Sequence, residues 1–122
     1  MNNNINFSVA GCGYVGFSLA VLLSQHYPTV CYDIDFGKIK DISSRKSPIE
    51  DTLIDKFLNK KLHLKATTDP EEAFSNCNYL IISTPTNYDT NSKRFDTHSI
   101  EKVIEKAIKI NNKIFIIIKS TI

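Results

Sequence analysis

FSVAGCGYVGFSLAVLLSQHYPTVCYDID, residues 7–35, begins as a short apolar run, breaks at three glycines, resumes with helical periodicity and closes on a second apolar run ending in acid. Three of the chain's four glycines, Gly11, Gly13 and Gly16, fall in this one break. In the spacing Gly-x-Gly-x-x-Gly each has its own task between a strand and a helix. Gly11 permits a tight turn, Gly13 lets a pyrophosphate approach the backbone, and Gly16 lets the helix pack close to the strand. The amides around Tyr14, Val15 and Gly16 then point at the phosphates, helped by the positive end of the helix dipole. Asp33, at the tip of the second strand, can accept hydrogen bonds from an adenosine ribose. Short glycine patterns arise by chance, but strand, glycines, helix and acid in one register point to a dinucleotide. A carboxylate at that tip repels a 2′-phosphate, which favours NAD over NADP. Lys38 either softens that repulsion or stands in solvent.

Working outward, strands and helices alternate. Residues 5–10 read as a first strand, 14–25 as a helix, 29–33 as a second strand and 35–43 as the helix after it. Ser47-Pro48-Ile49-Glu50 is a capping box opening a short helix toward Lys60. A third strand at 63–67 precedes Asp69-Pro70-Glu71-Glu72, a repeat of the same start signal for a helix ending near Asn76. Residues 79–83 form a buried fourth strand and 84–94 a polar loop. Asp96 or Thr97 caps a helix whose Ile100, Val103, Ile104, Ala107 and Ile108 share one face. Residues 113–119 supply the fifth strand. Strands apolar on both faces and separated by helices predict a parallel sheet covered on both sides. The expected fold is therefore α/β, a doubly wound parallel sheet of the Rossmann type. The chain stops directly off its fifth strand. Without a sixth strand beside it, 114–118 becomes an apolar, proline-free edge, and self-association through it is expected.

The remaining composition narrows the partners. The chain of 122 residues is one domain in size, 42% apolar and 23% charged, as in soluble globular proteins. A net charge of +2, with scattered lysines, gives no argument for nucleic acid. The longest apolar run is too short to cross a bilayer, and the amino terminus does not read as a signal peptide. Three cysteines without metal-ligand spacing suggest reduced thiols in a cytoplasmic protein.

The motifs GCGYVG (11–16), CYDID (31–35), SPIED (47–51), IISTPTNYD (81–89), FDT (95–97) and IIIKSTI (116–122) occur in that order. Together they resemble the amino-terminal, NAD-binding part of the UDP-sugar dehydrogenases, the UDP-glucose 6-dehydrogenase type above all, over essentially the whole chain. GYVG and TPT are shared with relatives acting on UDP-N-acetylmannosamine or GDP-mannose. The resemblance implies that Val15 gives a backbone amide to the cofactor phosphates and that Asp33 and Lys38 hold the adenosine ribose. It implies that Thr86 lines the dinucleotide crevice, and that Thr121 lies by the nicotinamide and helps to place a water. It further implies oxidation of the sugar C6 alcohol to a carboxylate in two hydride transfers, with two NAD and a cysteine-bound intermediate. That cysteine belongs to a region that follows the first domain, as does the part that binds the UDP-sugar. This chain alone is therefore expected to be inactive.

Other constellations read as structural. Cys12 sits where the loop needs a small residue, with no histidine beside it in sequence. Glu50-Asp51 and Glu71-Glu72 lie in first helical turns, where acids suit the dipole. His26, His63 and His98 are isolated, and no metal site is expected. An NAD-sensing module without chemistry, and a methyltransferase with a similar glycine loop, remain as competing functions.

Overall fold

The computed structural model describes residues 5–44, 62–84, 87–89, 91 and 94–119. The capping box at 47–50, the helix toward Lys60, Thr86 and Thr121 lie outside the described residues. The element order is β1 (Phe7–Ala10), α1 (Tyr14–Ser24), β2 (Thr29–Tyr32), α2 (Phe36–Ser43), β3 (Leu64–Thr67), α3 (Pro70–Phe74), β4 (Tyr79–Ile82), β5 (Asn87–Asp89), β6 (Arg94–Asp96), α4 (His98–Ile110) and β7 (Phe115–Ile118).

Alternation along each strand sends successive side chains to opposite faces, and here it builds two cores. Val9, Cys31 and Ile81 join Phe17, Ala20 and Val21 of α1 and Ile39 and Ile42 of α2 on one face. Ala10, Tyr32, Leu80 and Ile82 join Ala73 and Phe74 of α3 and Ile100, Val103 and Ala107 of α4 on the other. Phe17 and Phe74 are both fully buried, one in each core, and truncating either would cost about 3–5 kcal/mol. The sheet order is β3-β2-β1-β4-β7 and every pairing is parallel. This is the doubly wound arrangement that the alternating elements predict.

The helix starts carry local reasons. Asp35 caps α2 by accepting from the Lys38 amide at 3.2 Å. Asp69 caps α3 by accepting from the Glu71 amide at 3.0 Å, with Pro70 in the first turn. The Asp69 amide donates to the Thr67 hydroxyl, and that hydroxyl donates to Glu72. Glu72 therefore reaches the cap through Thr67 rather than directly as in a capping box. Thr97 occupies the cap position of α4 without a side-chain cap hydrogen bond; the side chain of Asp96, the other expected cap, lies outside what the structure describes.

One detail differs from the sequence expectation. Residues 84–94 are not wholly loop, because β5 and β6 pair antiparallel with Tyr88 opposite Phe95. Each of these strands has only three residues, too few for alternation to show against the polar turn residues between them. The sheet is covered unevenly. Phe115 and Ile117 pair with Tyr79 and Ile81 in register, yet are 62% and 37% exposed, so the face carrying α1 and α2 is open at β7.

The closest packing is at the start of α1. A Cβ on Gly16 would stand 1.9 Å from the Gly11 carbonyl oxygen and 3.2 Å from Ser83 Cβ. Gly16→Ala should therefore destabilise the chain by about 1–3 kcal/mol through overpacking. Denaturant titration checks this, and an unchanged midpoint would contradict it.

Candidate functional site

The turn after β1 is built by hydrogen bonds and by absent side chains. Gly11 has φ +94°, and a Cβ there would meet the Ser83–Thr84 backbone at 2.7 Å. Its amide donates to the Tyr32 carbonyl at 2.9 Å, and the Gly13 carbonyl accepts the Phe17 amide that begins α1. Gly13 is the cap position of α1, makes no side-chain cap and is followed by no acid in the first turn. A Cβ on Gly13 would find nothing within 4 Å. The helix thus turns its amino end, without a side-chain cap from Gly13, toward the open space beside that residue, the arrangement that receives an anion.

Asp33 links this turn to the neighbouring one. Its carboxylate accepts the Cys12 amide at 2.8 Å on one oxygen and the Asp35 amide at 2.9 Å on the other. Each oxygen retains capacity for a second donor. Behind the turn, the Cys12 thiol is buried and donates to the Tyr32 carbonyl at 3.6 Å. Its hydrogen bond with Cys31, then burial, then the Cys31 and Asp33 charges push its pKa far above the ordinary thiol range, against a smaller lowering by Lys38. Cys77 is likewise raised by burial, offset in part by hydrogen bonds with Ser8 and Tyr79. Neither thiol is set up as a nucleophile, since the thiolate is the reactive form.

A cavity of about 370 Å³ opens at the carboxyl ends of β1, β2 and β4. Asp33, Ile34 and Lys38 form one wall, Lys102 and Lys106 of α4 another, and Gly11 and Thr84 join them. The Ser99 and Thr84 hydroxyls meet at 3.4 Å on the α4 side. Sheet order reverses between β1 and β4, and open α/β sheets bind ligands beyond the strand ends at that point. A larger cavity, about 550 Å³, lies at the opposite ends of β1, β2 and β3 near Phe7, Thr29 and His63. It contains neither the glycine turn nor the start of α1.

Comparison with known proteins agrees with this geometry. The model of the UDP-glucose/GDP-mannose dehydrogenase family, NAD binding domain, matches residues 5–122. The chain belongs to this family. A UDP-glucose 6-dehydrogenase of Streptococcus pneumoniae is 45% identical over 119 residues, which are 97% of this chain and 30% of that protein. Among solved structures, a UDP-D-ManNAc dehydrogenase from Pyrococcus horikoshii superimposes with a TM-score of 0.88 at 29% identity, over 97% of this chain and 29% of that one. A GDP-mannose dehydrogenase from Pseudomonas aeruginosa gives 0.85 at 27% identity, over 95% and 28%. This chain thus spans about 30% of the length of the curated relative.

As an NAD-binding domain of this family, the chain has residues that fit the cofactor. The open space at Gly13 is where a pyrophosphate would sit against the amides at the start of α1, and the cavity beside Asp33 would take the adenosine. Of the residues singled out in the sequence, Gly11, Asp33 and Lys38 line this cavity together. Gly13, Tyr14 and Val15 lie at the adjoining helix start, with Tyr14 and Val15 62% and 50% exposed. Gly16 is buried and serves packing. The sequence reading did not single out Thr84, Ser99, Lys102 or Lys106. Their one signal is the spacing of Ser99, Lys102 and Lys106, three and four apart on a helix that follows β4. Among the described residues no helix is long and apolar enough to cross a membrane, and no cluster of metal-ligating side chains occurs.

Gly13 separates binding from folding. Its φ of −78° suits any residue and its surroundings are open, so Gly13→Val should melt within a few degrees of the parent. Calorimetric titration should meanwhile find no NAD binding. A variant that binds NAD as the parent does would show that the phosphates do not cross this turn.

Proposed function

We propose that this domain serves an enzyme that oxidises the C6 alcohol of UDP-glucose to the carboxylate of UDP-glucuronate. The observation that supports this choice of sugar is the 45% identity to a UDP-glucose 6-dehydrogenase, against 29% and 27% for the UDP-D-ManNAc and GDP-mannose dehydrogenases. NAD, when bound, accepts a hydride from the sugar carbon. The chain's own residues position that acceptor. The amides at the start of α1 hold the phosphates, Asp33 accepts the ribose hydroxyls while it keeps the Cys12 and Asp35 amides, and Lys38 stands beside it. Thr86 and Thr121 lie outside the described residues and enter this reading through their family motifs alone, Thr86 as a crevice residue and Thr121 as one that would help to place the water supplying the second carboxylate oxygen.

The same reading assigns the covalent chemistry to a cysteine outside this chain. Cys12, Cys31 and Cys77 are all buried, and the raised pKa values of Cys12 and Cys77 oppose nucleophilic attack. The purified chain should therefore bind NAD and form no NADH from UDP-glucose. The protein with its following region should form two NADH per UDP-glucose, and less from UDP-N-acetylmannosamine or GDP-mannose. Preference for either of those sugars would overturn the substrate assignment.

Asp33→Ala removes hydrogen bonds to a charged acceptor, worth about 1.5–3 kcal/mol. NAD affinity should fall by about tenfold or more. Equal affinity in parent and variant, measured by calorimetry, would place the ribose elsewhere.

A further inference from the structure

The cavity beside Asp33 has more lysines than carboxylates in its lining. Its lining residues include Asp33 and Asp35 against Lys38, Lys102 and Lys106, one cationic residue in excess. Both carboxylates already have backbone duties. Asp33 accepts the Cys12 and Asp35 amides, and Asp35 accepts the Lys38 amide at the start of α2. The two lysines of α4 arise from helix geometry. Lys102 and Val103 stand three and four residues after Ser99, and Lys106 four and three after them, so the four share a stripe facing the cavity. Val103 is buried and anchors that stripe on the core, while the lysines on either side extend flexible stems with rotatable donors. The pyrophosphate of NAD is assigned to the amides at the start of α1, and the adenosine ribose bears no charge, so three lysines around the ribose pocket exceed what that ribose uses. A ribose 2′-phosphate, carrying nearly two negative charges at neutral pH, does.

Resting on the NAD assignment, we propose that Asp33 alone holds this site for NAD, and that Lys38, Lys102 and Lys106 form a latent site for the 2′-phosphate of NADP. Lys102 and Lys106 are then specificity-determining residues, contributed by a helix remote in sequence from the glycine turn. Asp33 opposes the phosphate by charge and by occupying the tip of β2. Once that charge is gone, the remaining cations face a single carboxylate, Asp35, which is engaged in capping α2. Asparagine at position 33 keeps the shape and an oxygen acceptor for one of the two amides.

Calorimetric titration with NAD and with NADP tests this through the ratio of the two dissociation constants. Asp33→Asn should shift the ratio toward NADP by about tenfold or more, the size expected for replacing repulsion with charge-assisted contacts. Adding Lys102→Gln and Lys106→Gln to that variant should remove most of the shift. Because Asp33 also supports the loop, the lysine pair is changed separately with Asp33 intact. There the ratio should move about tenfold further toward NAD. An unchanged ratio in the lysine variant, or a shift in Asp33→Asn that survives loss of both lysines, would overturn the proposal. A parent chain that binds neither dinucleotide would overturn the NAD assignment itself, which separates the two failures.

Discussion

Between Gly16 and Gly11 there is no room for a methyl group, since a Cβ at Gly16 would come within 1.9 Å of the Gly11 carbonyl. This contact seats the first turn of α1 directly on the end of β1. Gly11 must then turn with a positive φ while pressed against the Ser83–Thr84 backbone, so the turn is confined by α1 on one side and the end of β4 on the other. The amino end of α1 is left facing the open space beside Gly13. Glycine at 11 and 16 is demanded by packing; at 13 the fold leaves open space for a side chain, so packing gives no reason for glycine there.

Asp33 extends that arrangement from one loop to two. By accepting amides from Cys12 and Asp35 it ties the turn after β1 to the turn after β2 and places a carboxylate at the cavity beyond the strand ends. Below it, the buried thiols of Cys12 and Cys31 fill the space under the turn. The two cores, one on each face of the sheet, pack against β1, β2 and β4, whose pairing is in register, so their carboxyl ends form one rim. A site assembled from backbone amides already placed by the fold needs little reorganisation when an anion binds.

Much of this was legible in the sequence because it rests on local rules. The spacing of Gly11, Gly13 and Gly16 and the position of Asp33 need only a strand, a turn and a helix in order. Alternation of apolar strands and helices was enough for the parallel sheet. What stayed hidden depends on tertiary arrangement. Nothing local to Lys102 or Lys106 says that α4 lines the same cavity as the tip of β2; that follows from the packing of α4, in the connection from β4 to β7, on the sheet face that also carries α3 and Tyr32. The sequence reading made Asp33 a ribose acceptor, yet not a staple between two loops, since that needs the Cys12 amide to face it. The short β5–β6 pair escaped notice because three residues carry too little periodicity.

The central claim is that NAD occupies the carboxyl ends of β1, β2 and β4, across the glycine turn and against Asp33. Amide chemical-shift mapping by NMR during titration with NAD tests it most directly. The account predicts the largest perturbations at Gly11, Gly13, Val15, Gly16 and Asp33, with smaller ones at Lys102 and Lys106. Perturbations concentrated instead around Phe7, Thr29 and His63, at the opposite ends of the strands, would contradict it.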